Sequence, residues 1–151
     1  MKTLFKTSLA VAATAVLGSL ATRPDTPWYQ NLAKPSWQPP PAAFPLVWTP
    51  LYISLAYAGA RAIDHAPPES RPALIRAYAL NLALNAAWTP TFFLLRSPNA
   101  ALAEITLLNA SNALLIHRFL NADRPSALLL VPYAAWTAFA TALTAAIATR
   151  N

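Results

Sequence analysis

Five stretches of this chain, residues 7–22, 44–60, 77–95, 100–115 and 127–148, carry no charge except for Glu104. Each runs about 16 to 22 residues, and at about 1.5 Å of rise per residue a helix of that length crosses a hydrocarbon core of about 30 Å, the shortest only just. Nothing else in the sequence constrains the fold as strongly. In lipid every backbone N–H and C=O must be satisfied inside the protein, which leaves helices or closed barrels. The runs show no strict alternation and few β-branched residues, so strands are excluded. The expected fold is an all-α membrane protein, a bundle of five transmembrane helices in one domain over residues 1–151. Its spans are expected at about 5–22, 44–62, 74–95, 99–118 and 126–149. The chain is 56% apolar and 11% charged, against roughly a quarter charged in ordinary soluble domains.

The links between the runs are a Pro-rich loop over 23–41, a polar one over 61–76, and short ones at 96–99 and 121–125. Links this short force antiparallel neighbours. On alternate sides fall Lys2, Lys6, Arg61, Arg71, Arg76, Arg118 and Arg124, against Arg23, Lys34, Arg96 and Arg150. The excess of cations on the first side predicts an N-terminus inside, with the long loop and the C-terminus outside. A second reading takes the first run as a cleaved signal sequence, because Lys2 and Lys6 precede an apolar core that ends in small residues. The net charge of +6 is spread singly along the chain, whereas phosphate recognition needs clustered cations, so nucleic-acid binding is excluded. There is no cysteine, which removes disulfides, thiolate nucleophiles and thiolate metal sites.

Polar and aromatic residues within the runs fall at helical spacing. Asn81, Asn85, Trp88 and Phe92 share one face of the third run; Trp48, Tyr52, Ala56 and Gly59 share one of the second; Tyr133, Trp136, Ala140 and Thr144 share one of the fifth. A pocket for a planar apolar ligand needs aromatic walls, a few amides or hydroxyls and room left by small residues, and these faces supply all three. The plainer reading is interfacial belts and helix glue, which suits Trp28, Tyr29 and Trp37 in the loop better than Trp88 and Trp136 deep in their runs. Glu104 is the one carboxylate inside a run; it is read either as a residue near the membrane end or as a proton relay. His65 and His117 sit in or beside loops, so neither is an axial haem ligand, and no metal site is expected.

These residues carry a resemblance. Trp28, Tyr29, Leu32, Lys34, Pro35, Trp37, Pro39 and Pro40 fall on the WYxxLxKPxWxPP loop of the translocator-protein family (tryptophan-rich sensory proteins, TspO/MBR), and Phe44, Val47, Trp48, Leu51 and Tyr52 look like its next helix start. Asn85, Trp88, Phe92 and Phe93 are similar to its third helix, and Pro132, Tyr133, Trp136, Phe139 and Ala140 to its fifth; the resemblance covers about residues 18–147.

The resemblance implies a five-helix bundle, often a homodimer, in a bacterial membrane, with a ligand cavity beneath the first loop. It implies binding of protoporphyrin IX and haem-type tetrapyrroles or other flat apolar molecules, with no obligatory cofactor. The ligand set it points to is Lys34, Trp37, Trp48, Tyr52, Asn81, Asn85, Trp88, Phe92, Tyr133, Trp136 and Ala140, with Arg23 and Lys34 at the mouth to meet propionates. Some bacterial members break down protoporphyrin in light, and the tryptophans implicated match Trp48 and Trp136, which makes an enzyme the first alternative to a binding, sensing or transport protein. Proton-coupled transport through Glu104 is the second. The chain departs from the family at Thr144 and Asn109, and it lacks a Tyr before a basic residue near its end. The stretch 55–61 fits a loose sterol pattern, from which no sterol binding is read.

Overall fold

Proline sets where most of these helices begin. Lacking an N–H and holding φ near −65°, it suits the first turn of a helix and disrupts the interior. The computed structural model describes residues 1–151 and is entirely helical, with α1 (Lys2–Ala21), α2 (Pro27–Gln30), α3 (Ala43–His65), α4 (Arg71–Thr89), α5 (Pro98–Ala122), α6 (Arg124–Leu129) and α7 (Val131–Arg150). In α2, α4, α5, α6 and α7 a proline occupies the first or second position. Pro90 has no N–H for the carbonyl four residues earlier, and α4 runs on as one wider turn, Pro90–Leu94, closed by the Leu95 N–H on the Pro90 carbonyl at 3.0 Å. Arg96, at φ 52°, then takes the left-handed conformation that commonly ends a helix.

The run expected as a single helix over 126–149 is two, α6 and α7, joined at Leu130. Pro132 explains the break, because it cannot donate back to Leu128 and α7 restarts with Pro132 in its first turn. The first, second and fourth runs each form one long helix, and the third is α4 followed by the wider turn Pro90–Leu94. By length and composition three stretches can cross a membrane: Lys2–Ala21, Pro98–Ala122 and Arg124–Arg150. On α4 the two amides Asn81 and Asn85 are turned inward.

Around the bundle α3 packs on α1, α1 on α4, α4 on α5 and α5 on α7. Between α3 and α7 direct contact is thin, and α6 fills the gap at one end, where the Ser54 hydroxyl donates to the Leu129 carbonyl at 3.0 Å. On α1 the buried residues are Thr7, Val11, Thr14 and Ala21, a narrow seam at spacings of three, four and seven, while Phe5, Leu9, Val16, Leu17 and Leu20 face outward. The Thr7 hydroxyl donates across the seam to the Ala56 carbonyl at 2.8 Å. Ala56, Ala58, Gly59, Ala60 and Ala62 are buried on α3. Small side chains let helices approach closely where lipid offers no hydrophobic gain for association.

Two of these contacts carry testable consequences. A Cβ on Gly59 would lie 2.6 Å from the hydroxyl oxygen of Tyr78, a buried ring held by its own hydrogen bond to the Leu55 carbonyl at 3.0 Å. Gly59→Ala should therefore destabilise the purified protein by about 1–3 kcal/mol, the usual cost of overpacking, measured by unfolding in detergent. At the α6 end, Arg61 Nε and Asp123 Oδ2 pair at 2.6 Å, and the same carboxylate caps α6 through the Ser126 N–H at 3.1 Å and hydroxyl at 2.5 Å. Burial by itself would push the Asp123 carboxyl up, but hydrogen bonds from Arg61 and Ser126 outweigh it and hold the group at about 2, below its ordinary 3.8. A depressed carboxyl stabilises the fold above its unfolded pKa and loses that contribution as pH falls through the folded one. Melting curves taken from neutral pH down to about 2 should show this loss in wild type, and Asp123→Asn should be less stable at neutral pH and lack that component of the pH dependence.

Candidate ligand site

An amide in a helix interior is tolerated only if its donors and acceptors are met. Three helices meet the two on α4. Asn81 Nδ2 donates to Asn112 Oδ1 at 2.7 Å and to Ser111 Oγ at 3.1 Å on α5, while its Oδ1 accepts from the Tyr133 hydroxyl of α7 at 3.0 Å. Asn85 Nδ2 donates to the same Tyr133 oxygen at 2.9 Å, and its Oδ1 accepts from the Tyr52 hydroxyl of α3 at 3.0 Å. Asn112 Nδ2 completes the set on Thr137 Oγ1 at 2.7 Å. Asn81, Asn85, Asn112, Tyr133 and Thr137 are all buried.

Above this network the rings of α3 and α7 close the thin seam. Trp48 stacks on Tyr52 with centroids 5.1 Å apart and meets Trp136 edge to face at 6.5 Å and Tyr133 at 6.3 Å. Trp136 stacks on Phe139 at 5.3 Å, and Phe139 meets the exposed Trp37 of the long loop at 5.8 Å. A second cluster gathers at the loop end around Phe92, Phe93, Ala101, Leu143 and Ile147. There Trp88 stacks on Phe92 at 5.0 Å, and Trp28 and Tyr29 of α2 cover Phe92 at 5.6 and 6.3 Å. Phe44 joins the two, packing on the second cluster and meeting Trp136 at 6.1 Å.

The expected site residues thus divide. Trp48, Tyr52, Tyr133 and Trp136 form one wall; Trp88 and Phe92 stand in the second cluster; Asn81 and Asn85 lie in the network between helices. Ala140 is half-buried on α7, one residue past Phe139. Lys34 is engaged within its own loop, with Nζ donating to the Tyr29 carbonyl at 2.7 Å and lying 4.3 Å from the Tyr29 ring centroid. Sequence reasoning did not single out Phe44, Phe139, Ser111, Asn112 or Thr137. The first two stand inside the motifs that carry the resemblance, and that position was the available signal.

Several polar atoms here are buried without a partner: Trp136 Nε1, Trp88 Nε1, Gln38 Oε1, Thr89 Oγ1 and both oxygens of Glu104. Trp88 is seven residues beyond Asn81 on α4, and Glu104 seven before Ser111 on α5. Since the helices are antiparallel and joined at Asn81 and Ser111, the indole N–H and the carboxylate stand at one level on facing sides. A buried polar group left unpaired costs about 1–3 kcal/mol. These atoms are therefore the ones a ligand or water would relieve.

The signature of the TspO/MBR family matches residues 7–150. The chain belongs to this family. The tryptophan-rich sensory protein of Cereibacter sphaeroides is 36% identical over 140 residues, covering 93% of this chain and 86% of that protein. The tryptophan-rich protein TspO of Chlorobaculum tepidum is 37% identical over 133 residues, 87% of this chain and 84% of the relative. The human translocator protein is 35% identical over 118 residues, covering 77% and 70%. Membership makes the chain a membrane protein, in accord with its apolar helices. The shared region takes in the long loop, the aromatic seam and the amide network alike.

Tyr133 ties the network to the seam, and its removal separates their contributions. Tyr133→Phe keeps the ring against Trp48 but strips Asn81 Oδ1 and Asn85 Nδ2 of their partner. The variant should lose about 1–3 kcal/mol of stability in detergent unfolding, while near-ultraviolet dichroism of the tryptophans stays close to wild type.

Proposed function

We propose that this TspO/MBR protein binds a flat, apolar tetrapyrrole of the protoporphyrin IX or haem type within its aromatic seam, in porphyrin handling, sensing or transport, as a bundle that crosses the membrane five times. The observation that carries the reading is the seam itself: two indoles, Trp48 and Trp136, faced by Tyr52, Phe44 and Phe139, with the Trp136 N–H buried and unpaired. A macrocycle offers the same kind of surface that these rings now offer one another, and a carbonyl or carboxylate on its rim can accept from an indole N–H. Parting α3 from α7 breaks ring contacts and few backbone ones, which gives a flat ligand a way in between the loop and the network. Lys34 meets propionates in this reading only by giving up the Tyr29 carbonyl.

Titrating the purified protein with protoporphyrin IX, followed by absorbance and tryptophan fluorescence, should show saturable binding with quenching; no saturable component would overturn the reading. Ala140→Thr should weaken that binding by crowding the α7 wall. Reporter fusions at both termini should place them on opposite sides of the membrane, as an odd number of crossings requires.

Light-driven breakdown of the bound porphyrin is the second reading, favoured by the near-perpendicular contact of Trp48 and Trp136 and by Trp48 lying on Tyr52. An indole can stack on a macrocycle and also give up an electron; Phe keeps only the stacking. The Trp48→Phe/Trp136→Phe double variant should therefore hold protoporphyrin IX within about tenfold of wild type, roughly 1.4 kcal/mol. Illuminated bleaching of the bound pigment, if the protein accelerates it, should fall much further in the same variant. Equal rates would remove the tryptophans from the chemistry.

A further inference from the structure

Away from the seam, on the outer face between α4 and α5, lies a groove of about 210 Å³ lined by Ala73, Arg76, Ala77, Leu80, Leu114 and Arg118. The hydrogen bonds from Asn81 to Ser111 and Asn112 fix the register of these antiparallel helices. Five residues before Asn81 on α4 stands Arg76; six or seven after that pair on α5 stands Arg118. At about 1.5 Å per residue the two guanidinium-bearing positions are level to within about 3 Å. Both lie near the ends of their helices, and the apolar lining follows toward the middle: Ala77 and Leu80 one and four residues after Arg76, Leu114 four before Arg118.

Neither arginine is used by the fold. The molecule has one ion pair, Arg61 with Asp123, so neither cation has a carboxylate partner. Arg118 Nε is buried with no hydrogen-bond acceptor. A half-buried guanidinium without an acceptor is a costly arrangement for a bundle to keep. Leu80 and Leu114, by contrast, are 52% and 41% exposed, as side chains facing lipid are.

We propose that this groove binds an anionic phospholipid, with the phosphate between Arg76 and Arg118 and an acyl chain laid along Ala77, Leu80 and Leu114. Guanidinium groups make paired, charge-assisted hydrogen bonds to phosphate oxygens, and a basic pocket between helices at the membrane surface is where an anionic headgroup is held. The phosphate supplies the acceptor that Arg118 Nε lacks. A free phosphate would satisfy the cations equally but would leave the groove beneath them without a role. Charge complementarity selects the headgroup, and the apolar continuation selects a lipid over an ion.

The test uses the full chain reconstituted in nanodiscs of equal parts dioleoyl phosphatidylglycerol and dioleoyl phosphatidylcholine, then released into mild detergent, with retained lipid counted by native mass spectrometry. Wild type should retain phosphatidylglycerol over phosphatidylcholine by about tenfold or more, and Arg76→Gln/Arg118→Gln should bring the ratio to within about twofold of one. The charge-preserving Arg76→Lys/Arg118→Lys should keep most of the preference, and excess inorganic phosphate should not displace the lipid. Absence of preference in wild type overturns the proposal and needs no variant to fold. An unchanged ratio in the folded Gln variant overturns it too, and displacement by inorganic phosphate would make this an anion site rather than a lipid site.

Discussion

Helices in lipid gain nothing from burying leucine against leucine, because the acyl chains they leave are just as apolar; what fixes their register is close packing and hydrogen bonds between side chains. Here those bonds converge on Asn81, Asn85 and Tyr133, which tie α3, α4, α5 and α7 at one depth through Tyr52, Ser111, Asn112 and Thr137. Two further alignments follow from that register. It levels Trp88 with Glu104 on one side of the network and Arg76 with Arg118 on the other. It also presents Tyr52 and Tyr133 as the floor on which Trp48 rests. Each donor and acceptor in the set is specific to a partner, so a single lost hydroxyl strands two amides rather than loosening one contact.

What was legible in the sequence was mainly periodic or local. Uncharged runs of spanning length marked the long helices, and the loop motif marked the family. The spacing of Asn81, Asn85, Trp88 and Phe92 put them on one helix face; the first three lie on α4, and Phe92 follows in the wider turn past its end. Spacing did not distinguish their neighbours, since the two amides face side chains of α3, α5 and α7 while Phe92 meets the loop helix and Trp88 stacks on Phe92. Such partners depend on which helices become adjacent, and no run encodes that. Arg61 and Asp123 are 62 residues apart and each looked like an ordinary loop charge. The break at Leu130 was masked for a different reason: the run is uniformly apolar, so hydropathy is blind to the missing N–H of Pro132. Lys34 read as a free cation because the loop that folds back on it has no periodicity.

The two sides of the bundle are held by different forces, and the difference bears on where it can open. Between α4 and α5 the hydrogen bonds are directional, and separating them leaves amides in an apolar interior with nothing to replace a lost partner. Between α3 and α7 the contacts at the loop end are rings against rings, weakly directional and worth about 0.5–1.5 kcal/mol each beyond area burial. A flat apolar surface inserted there exchanges one set of ring contacts for another. Opening also stays local, since α6 keeps α3 and α7 bridged at the far end through Ser54 and the Arg61–Asp123 pair. Elements that move are drawn from the least stable part of a fold. In this bundle that part is the seam, where the Trp136 N–H stands unpaired, so the place that yields most readily is also one with hydrogen-bonding capacity to spare.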